Sequence, residues 1–524
     1  MLSPVNAYDQ HVGARLLDFF DAATPWHRSL WNPSLVLILK EILEASEAFR
    51  ASARGKDSLK DLLNHAVKIA GTDPGTGELR QRRLLQQALA GTVPHDGFDF
   101  LTVSGITRDI ESHYLARWST VVADDPNTRP RPERTARAVA AYLLDLGFSS
   151  NFLHRWWTYR VRHEPGTREM ADLLQDAHQL AQGTLRTFKV LIAFETAPKD
   201  PAGLPPRWID ARTVSDWLKK HNFGTHGIRQ EGGMLFQLPA RDADSAVDAA
   251  TELLDNFAAR LEISTNLAWR GPLPMAWVAN EPRPLKLARR TRKVHVRALE
   301  REAQIYSASA PSIVDAALEL LAPLQSSSPS AAVAGGWAAI EALLGESTDH
   351  SLAAERLASL VACSFPRAEL TFLSYLVEQL PGQLATALAA SATNRDRCAV
   401  LTNAIENGTP LFLTKPSDVA AVDRMRNVLS EPYATLHNIQ GHATSALLRL
   451  YRQRNLVLHW GKTDAVALRA SLRTAAPLVG AGMDRIAHAW FVERIRPLEL
   501  AARARVALAV VGTRPGTNCL DLLG

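Results

Sequence analysis

Cysteine is nearly absent: Cys363, Cys398 and Cys519 stand far apart in a chain of 524 residues. None forms a CxxC pair, so neither a zinc knuckle nor a disulfide framework is expected, and a reducing compartment fits. The opening residues, MLSPVNAYDQHVGARLL, lack the basic start and apolar stretch of a secretory signal. No uninterrupted apolar run approaches the ~20 residues of a membrane span. A cytoplasmic protein with no membrane partner is the expectation. Several chemical signatures are missing as well. The glycines between Gly71 and Gly77 are not followed by Lys-Ser/Thr, so they read as a loop rather than a phosphate cradle. There is no HExxH helix, no nucleophile elbow and no EF-hand loop, which removes zincins, α/β-hydrolases and calcium sensors of those types. No metal and no cofactor is implied.

What is present is ordinary for a folded protein: 46% hydrophobic and 22% charged residues. The length calls for two to four domains. A net charge of +5 permits an anionic partner such as RNA without requiring one. Hydrophobic spacing predicts a mainly α fold in three parts. Residues 1–185 read as a helical N-terminal region. Residues 186–305 read as a small α+β domain, with strands over 188–194, 233–238, 275–278 and 293–299 and helices over 213–221 and 242–261, placed on one face of the sheet. Residues 306–524 return to helical patterns after the polar break Gln325–Ser330.

The most informative segment is Tyr451-Arg452-Gln453-Arg454-Asn455-Leu456-Val457-Leu458-His459-Trp460-Gly461. Leu447, Leu450, Tyr451, Leu458 and Gly461 fall on one helical stripe, and Arg454 interrupts it. A buried guanidinium costs several kcal/mol unless paired, so Arg454 must meet a partner, a cleft or a subunit interface. At about 100° per residue, Arg452, Asn455 and His459 lie within roughly 60° of one another. Imidazole, carboxamide and guanidinium suit RNA cleavage by the substrate's own 2′-hydroxyl: histidine moves the proton and arginine holds the phosphate.

This run resembles the signature of HEPN nucleases, in which Arg and His stand four to six residues apart and Asn follows the Arg. Upstream, Gly336-Trp337-Ala338-Ala339-Ile340-Glu341-Ala342-Leu343-Leu344 is similar to the first helix of the Apea-like branch, and Ala354-Glu355-Arg356-Leu357 to its second. The resemblance spans about residues 310–490 and none is seen for residues 1–300. It implies a helical bundle and a metal-independent endoribonuclease leaving a cyclic phosphate end. Arg454, Asn455 and His459 would be catalytic, and Arg452, Tyr451 and Glu341 would bind RNA or support the site. Family practice favours Arg454 as the motif arginine, whereas helical geometry favours Arg452. The resemblance also implies a homodimer with two motifs facing one site and a toxin or phage-defence role; domain order alone assigns residues 1–300 to a trigger molecule or protein. The alternative is a non-catalytic HEPN module that binds RNA or nucleotides or serves as an interaction platform.

Other features carry blander readings. Arg108 with His113, and Arg289 or Arg290 with His295, share the bare spacing but lack the following Asn. The aromatic and basic run Phe152–His163 can stack bases. It reads better as a helix burying tryptophan beneath outward arginines. Lys286 and Arg289–Lys293 read as a solvated strand entry. Glu341, in an apolar helix, is expected to pair with Arg454 or Arg356.

Overall fold

The computed structural model of the chain describes residues 7–49, 56–163, 169–197, 204–224, 228–264, 271–287, 291–307, 312–346, 351–513 and 518–523. It is mainly helical with one small antiparallel sheet in the middle of the chain. The grouping differs from the three-part expectation. One compact unit holds residues 1–142, 161–178 and 291–524, and a second holds 143–160 and 179–290. The N-terminal helices and the C-terminal bundle, expected as separate regions, are thus one body.

The first unit begins with α1 (Ala7–Phe20), a 3₁₀ turn (Trp26–Arg28), α2 (Leu35–Phe49), α3 (Lys56–Thr72), α4 (Leu79–Leu89), α5 (Phe98–Ala123) and α6 (Pro132–Asp145). The chain leaves it after Tyr142 near the end of α6, returns after Arg160 within α7 (Ser150–His163) and leaves again after His178 within α8 (Met170–Gln182), then continues through α9 (Ala211–Lys220) and α10 (Ala243–Ser264). On return it forms α11 (Ala298–Arg301), α12 (Ile313–Ser326), α13 (Pro329–Leu344) and α14 (Ser351–Glu378). There follow α15 (Gln383–Ala389), α16 (Asn394–Glu406), α17 (Pro416–Ser430), α18 (Pro432–Trp460), α19 (Leu468–His488) and α20 (Pro497–Val510).

The core of the first unit runs through α12–α14 and α16–α20, with Leu357, Leu360, Leu447, Leu450 and Leu478 fully buried. Trp31, from the N-terminal segment, belongs to the same cluster. Its ring stacks on Trp26 at 6.3 Å and meets Phe365 of α14 edge-on at 5.9 Å. Arg28 adds polar ties: it donates to Glu369 of α14 at 2.7 Å and to Asp418 of α17 at 2.6 Å, all three nearly sealed from solvent. Glu369 is held down at about 2: burial pushes it up, but His27 and the guanidiniums of Arg424 and Arg28 prevail. These contacts explain why residues 1–142 are not an independent domain. The polar break at Gln325–Ser330 is the tight turn between α12 and α13, which pack together as a hairpin. α14 is long and apolar enough to cross a membrane by length and composition, but 61% of its most apolar window is buried in this core.

In the second unit, β1 (Arg186–Phe194), β2 (Trp208–Asp210), β3 (Gly232–Ala240), β4 (Met275–Val278) and β5 (Leu285–Lys286) form a sheet in the order β2-β3-β1-β4-β5, with every pair antiparallel. The expected single helical layer is corrected. Val190, Ile192 and Phe194 pack with α10, whereas Leu191 and Ala193 pack with α9. Successive strand residues face opposite ways, so helices lie on both faces. That is why the Val190–Phe194 run is continuously apolar rather than alternating. The expected strand at 293–299 is also absent: Arg292 donates to the carbonyls of Leu324 and Ser327, and Lys293 to those of Asp21 and Thr24. This segment satisfies helix-end and turn carbonyls instead of entering a sheet. Arg289 and Arg290 lie outside the described residues.

Candidate functional site

The YRQRN segment closes α18, a 29-residue helix. Pro432 stands in its first turn, where a missing N–H costs nothing. Gly461 ends it in the left-handed region at φ 64°, and Lys462 N–H returns to the Leu456 carbonyl at 3.1 Å. His459 therefore sits in the last turn, at a helix C-terminus.

The inner face of α18 is fixed by α2. Leu37, Glu41 and Glu44 are spaced to share one side of α2. Leu37 packs with Ala467 and Ala470 at the start of α19. Glu41 Oε2 accepts from Arg449 Nε at 2.8 Å and its Oε1 from Arg452 Nε at 3.0 Å. All three side chains are buried. Burial pushes the Glu41 carboxyl up, but the guanidiniums of Arg452 and Arg449 prevail and hold it below its ordinary value. One turn on, Glu44 pairs with Lys462 at 2.9 Å and accepts the Val466 N–H. The loop after Gly461 is thereby anchored to the same helix.

The outer face is different. Arg454 Nη1 donates to Asn455 Oδ1 at 2.9 Å and to His459 Nε2 at 3.1 Å. Arg454 and Asn455 are half-buried and His459 is exposed. A guanidinium only donates, so His459 Nε2 accepts and the ring proton is assigned to Nδ1. Three groups named from the sequence meet through one nitrogen. Arg454 lies away from His459 on an ideal wheel, yet its long side chain spans the difference.

Arg452 does not join them. The expectation that it binds RNA is corrected: it is 8% exposed and committed to Glu41. Tyr451 is half-buried against the Trp337 ring, at 4.8 Å between centroids, and supports α18 on α13. Glu341 is half-buried on α13. Arg356, one of its two expected partners, donates to the Leu344 carbonyl and pairs with Glu346. Leu458, placed in the apolar stripe by spacing, is 51% exposed. The buried stripe instead runs through Ala446, Leu450, Gln453 and Val457, because Glu41 draws the Arg449–Arg452 side inward.

The rival motifs are occupied otherwise. His113 Nδ1 lies 3.3 Å from the Asp109 carboxylate, within α5. In α7, Leu153 and Trp157 are fully buried, Arg155 pairs with Asp244, and Arg160 lies over Trp156 at 5.5 Å. Sequence reasoning missed Glu41 and Glu44 altogether. The available signal was the acid inside LVLILKEILEA, since a carboxylate within an apolar helix needs a cation nearby. Which cation it would find, more than 400 positions on, could not be read from spacing.

Comparison with known protein families, characterised proteins and solved structures finds no match to this chain.

Proposed function

We propose that the chain is a metal-independent endoribonuclease of the HEPN type, with Arg454, Asn455 and His459 as its centre. The observation that carries this is the Arg454 Nη1 bridge to Asn455 and His459 at the open end of α18. In the free protein the guanidinium occupies the basic nitrogen of the imidazole. An incoming phosphodiester competes for Arg454, since a guanidinium binds phosphate oxygens more strongly than a neutral ring nitrogen. Its departure frees His459 Nε2 as a base. The ring takes the 2′-hydroxyl proton, the 2′-oxygen bonds to phosphorus, and the bond from phosphorus to the 5′-oxygen breaks. That oxygen receives a proton from a general acid: His459 once protonated, an imidazole of a second copy, or water. Arg454 and Asn455 offset the charge on the phosphate oxygens. The products are a 2′,3′-cyclic phosphate and a 5′-hydroxyl.

A homodimer belongs to this reading. Exposed Leu458 borders His459 and offers apolar surface for a second copy to cover. A regulated toxin or phage-defence role in the cytoplasm, with the N-terminal part relaying a trigger, is the context in which such an enzyme would act. The contacts of α2 with α18 supply a physical route for that relay. The test is incubation of purified protein with mixed RNA in excess EDTA. Cleavage is expected, and its loss by about 10²–10⁴-fold in His459→Ala and Arg454→Ala. Binding without cleavage would assign the chain to the non-catalytic class, and full activity of Arg454→Ala would remove that residue from the centre.

A further inference from the structure

The charge of the chain is not spread evenly. The second unit, residues 143–160 and 179–290, holds 17 Lys and Arg against 13 Asp and Glu, and so carries +4 of the net +5. The two helices on its sheet differ in sign. α10 bears Asp244, Asp248, Glu252, Asp255 and Glu262 against Arg260 alone. α9 bears Arg212, Lys219 and Lys220 against Asp216. Since α10 packs on one face of the sheet and α9 on the other, the unit has an acidic side and a basic side.

On the basic side the sheet is only partly covered. α9 starts directly after β2, whose Asp210 pairs with Gly232, itself opposite Phe194 of β1. Its first turn lies over that end: a methyl group added at Gly233 would stand 3.2 Å from Val214 and 3.1 Å from Leu191. From there the helix runs back until Leu218 joins Leu191 and Trp277 in one apolar cluster. Strand side chains alternate, so Lys189 and Thr187 follow Leu191 on this same face. Their partners across the ladder are Gln237 and Pro239. All four are exposed, which makes an open shelf at one end of β1 and β3. α9 finishes towards it with Lys219 and Lys220, followed by His221. The His221 imidazole is held below its ordinary value by burial and then by Lys220 and Lys189, in keeping with that placement. Its ring is partly exposed and lies 4.3 Å from that of Trp217. Lys189, Lys219 and Lys220 are exposed and make no ion pair with a described residue.

We propose that this shelf binds a single-stranded polynucleotide, with Lys189, Lys219 and Lys220 on its phosphates and Gln237 and His221 on its bases. Three unpaired ammonium groups beside one exposed strand pair give the positive track that a phosphodiester chain needs. A carboxamide can donate to and accept from base edges, and an imidazole can carry a stacked base. Reading a duplex takes an element that enters a groove, whereas strand residues at a sheet surface meet splayed bases. That the strand is RNA rests on the nuclease reading. The shelf itself does not, since none of Arg454, Asn455 and His459 belongs to it.

Fluorescence anisotropy tests it, with a labelled oligouridine of about 12 nucleotides and its deoxy counterpart. The protein is the full chain carrying Arg454→Ala and His459→Ala, so that the proposed nuclease centre neither cuts nor grips the strand. Saturable binding is expected, falling with salt at a log–log slope of about −2 for three phosphates. Adding Lys189→Gln, Lys219→Gln and Lys220→Gln together should weaken it about tenfold or more and flatten the slope. The three Lys→Arg changes should keep it, and Arg260→Gln on the acidic side should leave it unchanged. His221→Ala should cost about fivefold or more through lost stacking. Thermal melts of the glutamine variant should match the parent, since all three positions are exposed. Equal binding of both strands supports the shelf without a preference for RNA. Binding that the folded glutamine variant retains in full overturns the proposal, as does polyglutamate bound equally well with the same losses. RNA cleavage is scored separately on the chain with Arg454 and His459 intact. Its absence beside lysine-dependent binding fails the nuclease alone, and its presence beside lysine-independent binding fails the shelf alone.

Discussion

The two faces of the last turns of α18 use the same side chain in opposite ways. Arg452 and Arg454 stand two residues apart. Arg452 is sealed against Glu41 beside Arg449, and Arg454 is open, bridging an amide and an imidazole. Spacing alone does not distinguish them; what decides is the helix that lies on each side. The inner face is a structural ion triad whose removal should act on stability. The outer face is a loosely held constellation whose removal should act on function.

The sharpest way to break this contrast is Glu41→Leu, which leaves two buried guanidiniums without an acid. Uncompensated buried charge costs about 3–5 kcal/mol, and the unfolding midpoint should fall accordingly in denaturant melts. Arg454→Ala should change stability by less than about 0.5 kcal/mol in the same experiment. Equal effects would erase the distinction between the faces.

pH separates them next. His27 and His65 are both brought to about 4, chiefly by burial. Each folded value lies below the unfolded value of about 6.5. Their contribution to stability is therefore complete above that pH and lost as pH falls toward 4. Glu41, Glu133 and Glu369, also lowered, act in the same direction at lower pH; Asp18, Asp73 and Asp242, raised by burial, act against it. Thermal unfolding in phosphate-free buffer should show a falling midpoint between pH 6.5 and 4. A flat profile would mean these imidazoles are hydrated in solution.

The smallest expected effect comes from Gly461→Ala. No atom lies within 4 Å of the added methyl group, so only the left-handed backbone resists it. A loss of about 1 kcal/mol is expected. A much larger loss would show that the turn after His459 carries more of the inner face than its contacts suggest.

Much of this was legible in the chain itself. Arg454, Asn455 and His459 stood out as a group, and β1, β3 and β4 announced themselves through β-branched and aromatic runs bounded by glycine and proline. Less could be read of how elements meet. The strand at β1 was visible, but that both its faces are covered follows from α9 packing opposite α10, which local periodicity does not encode. The role of Arg452 depended on Glu41, and Trp31 joined a core built from residues beyond 310. Each miss involves a partner remote in sequence, where propensity is silent and packing decides.

That remoteness has a consequence for how the molecule comes into being. Glu41 lies 408 positions before Arg449, and Arg28 lies 390 before Asp418. On the ribosome the N-terminal helices emerge long before the segments that neutralise their buried acids and bases. They wait as an unfinished half. Closing so long a loop is entropically costly and slow, so maturation of this chain should trail synthesis rather than accompany it. The ribonuclease activity proposed for this chain would thereby stay unassembled until the message encoding it had been read almost to the end.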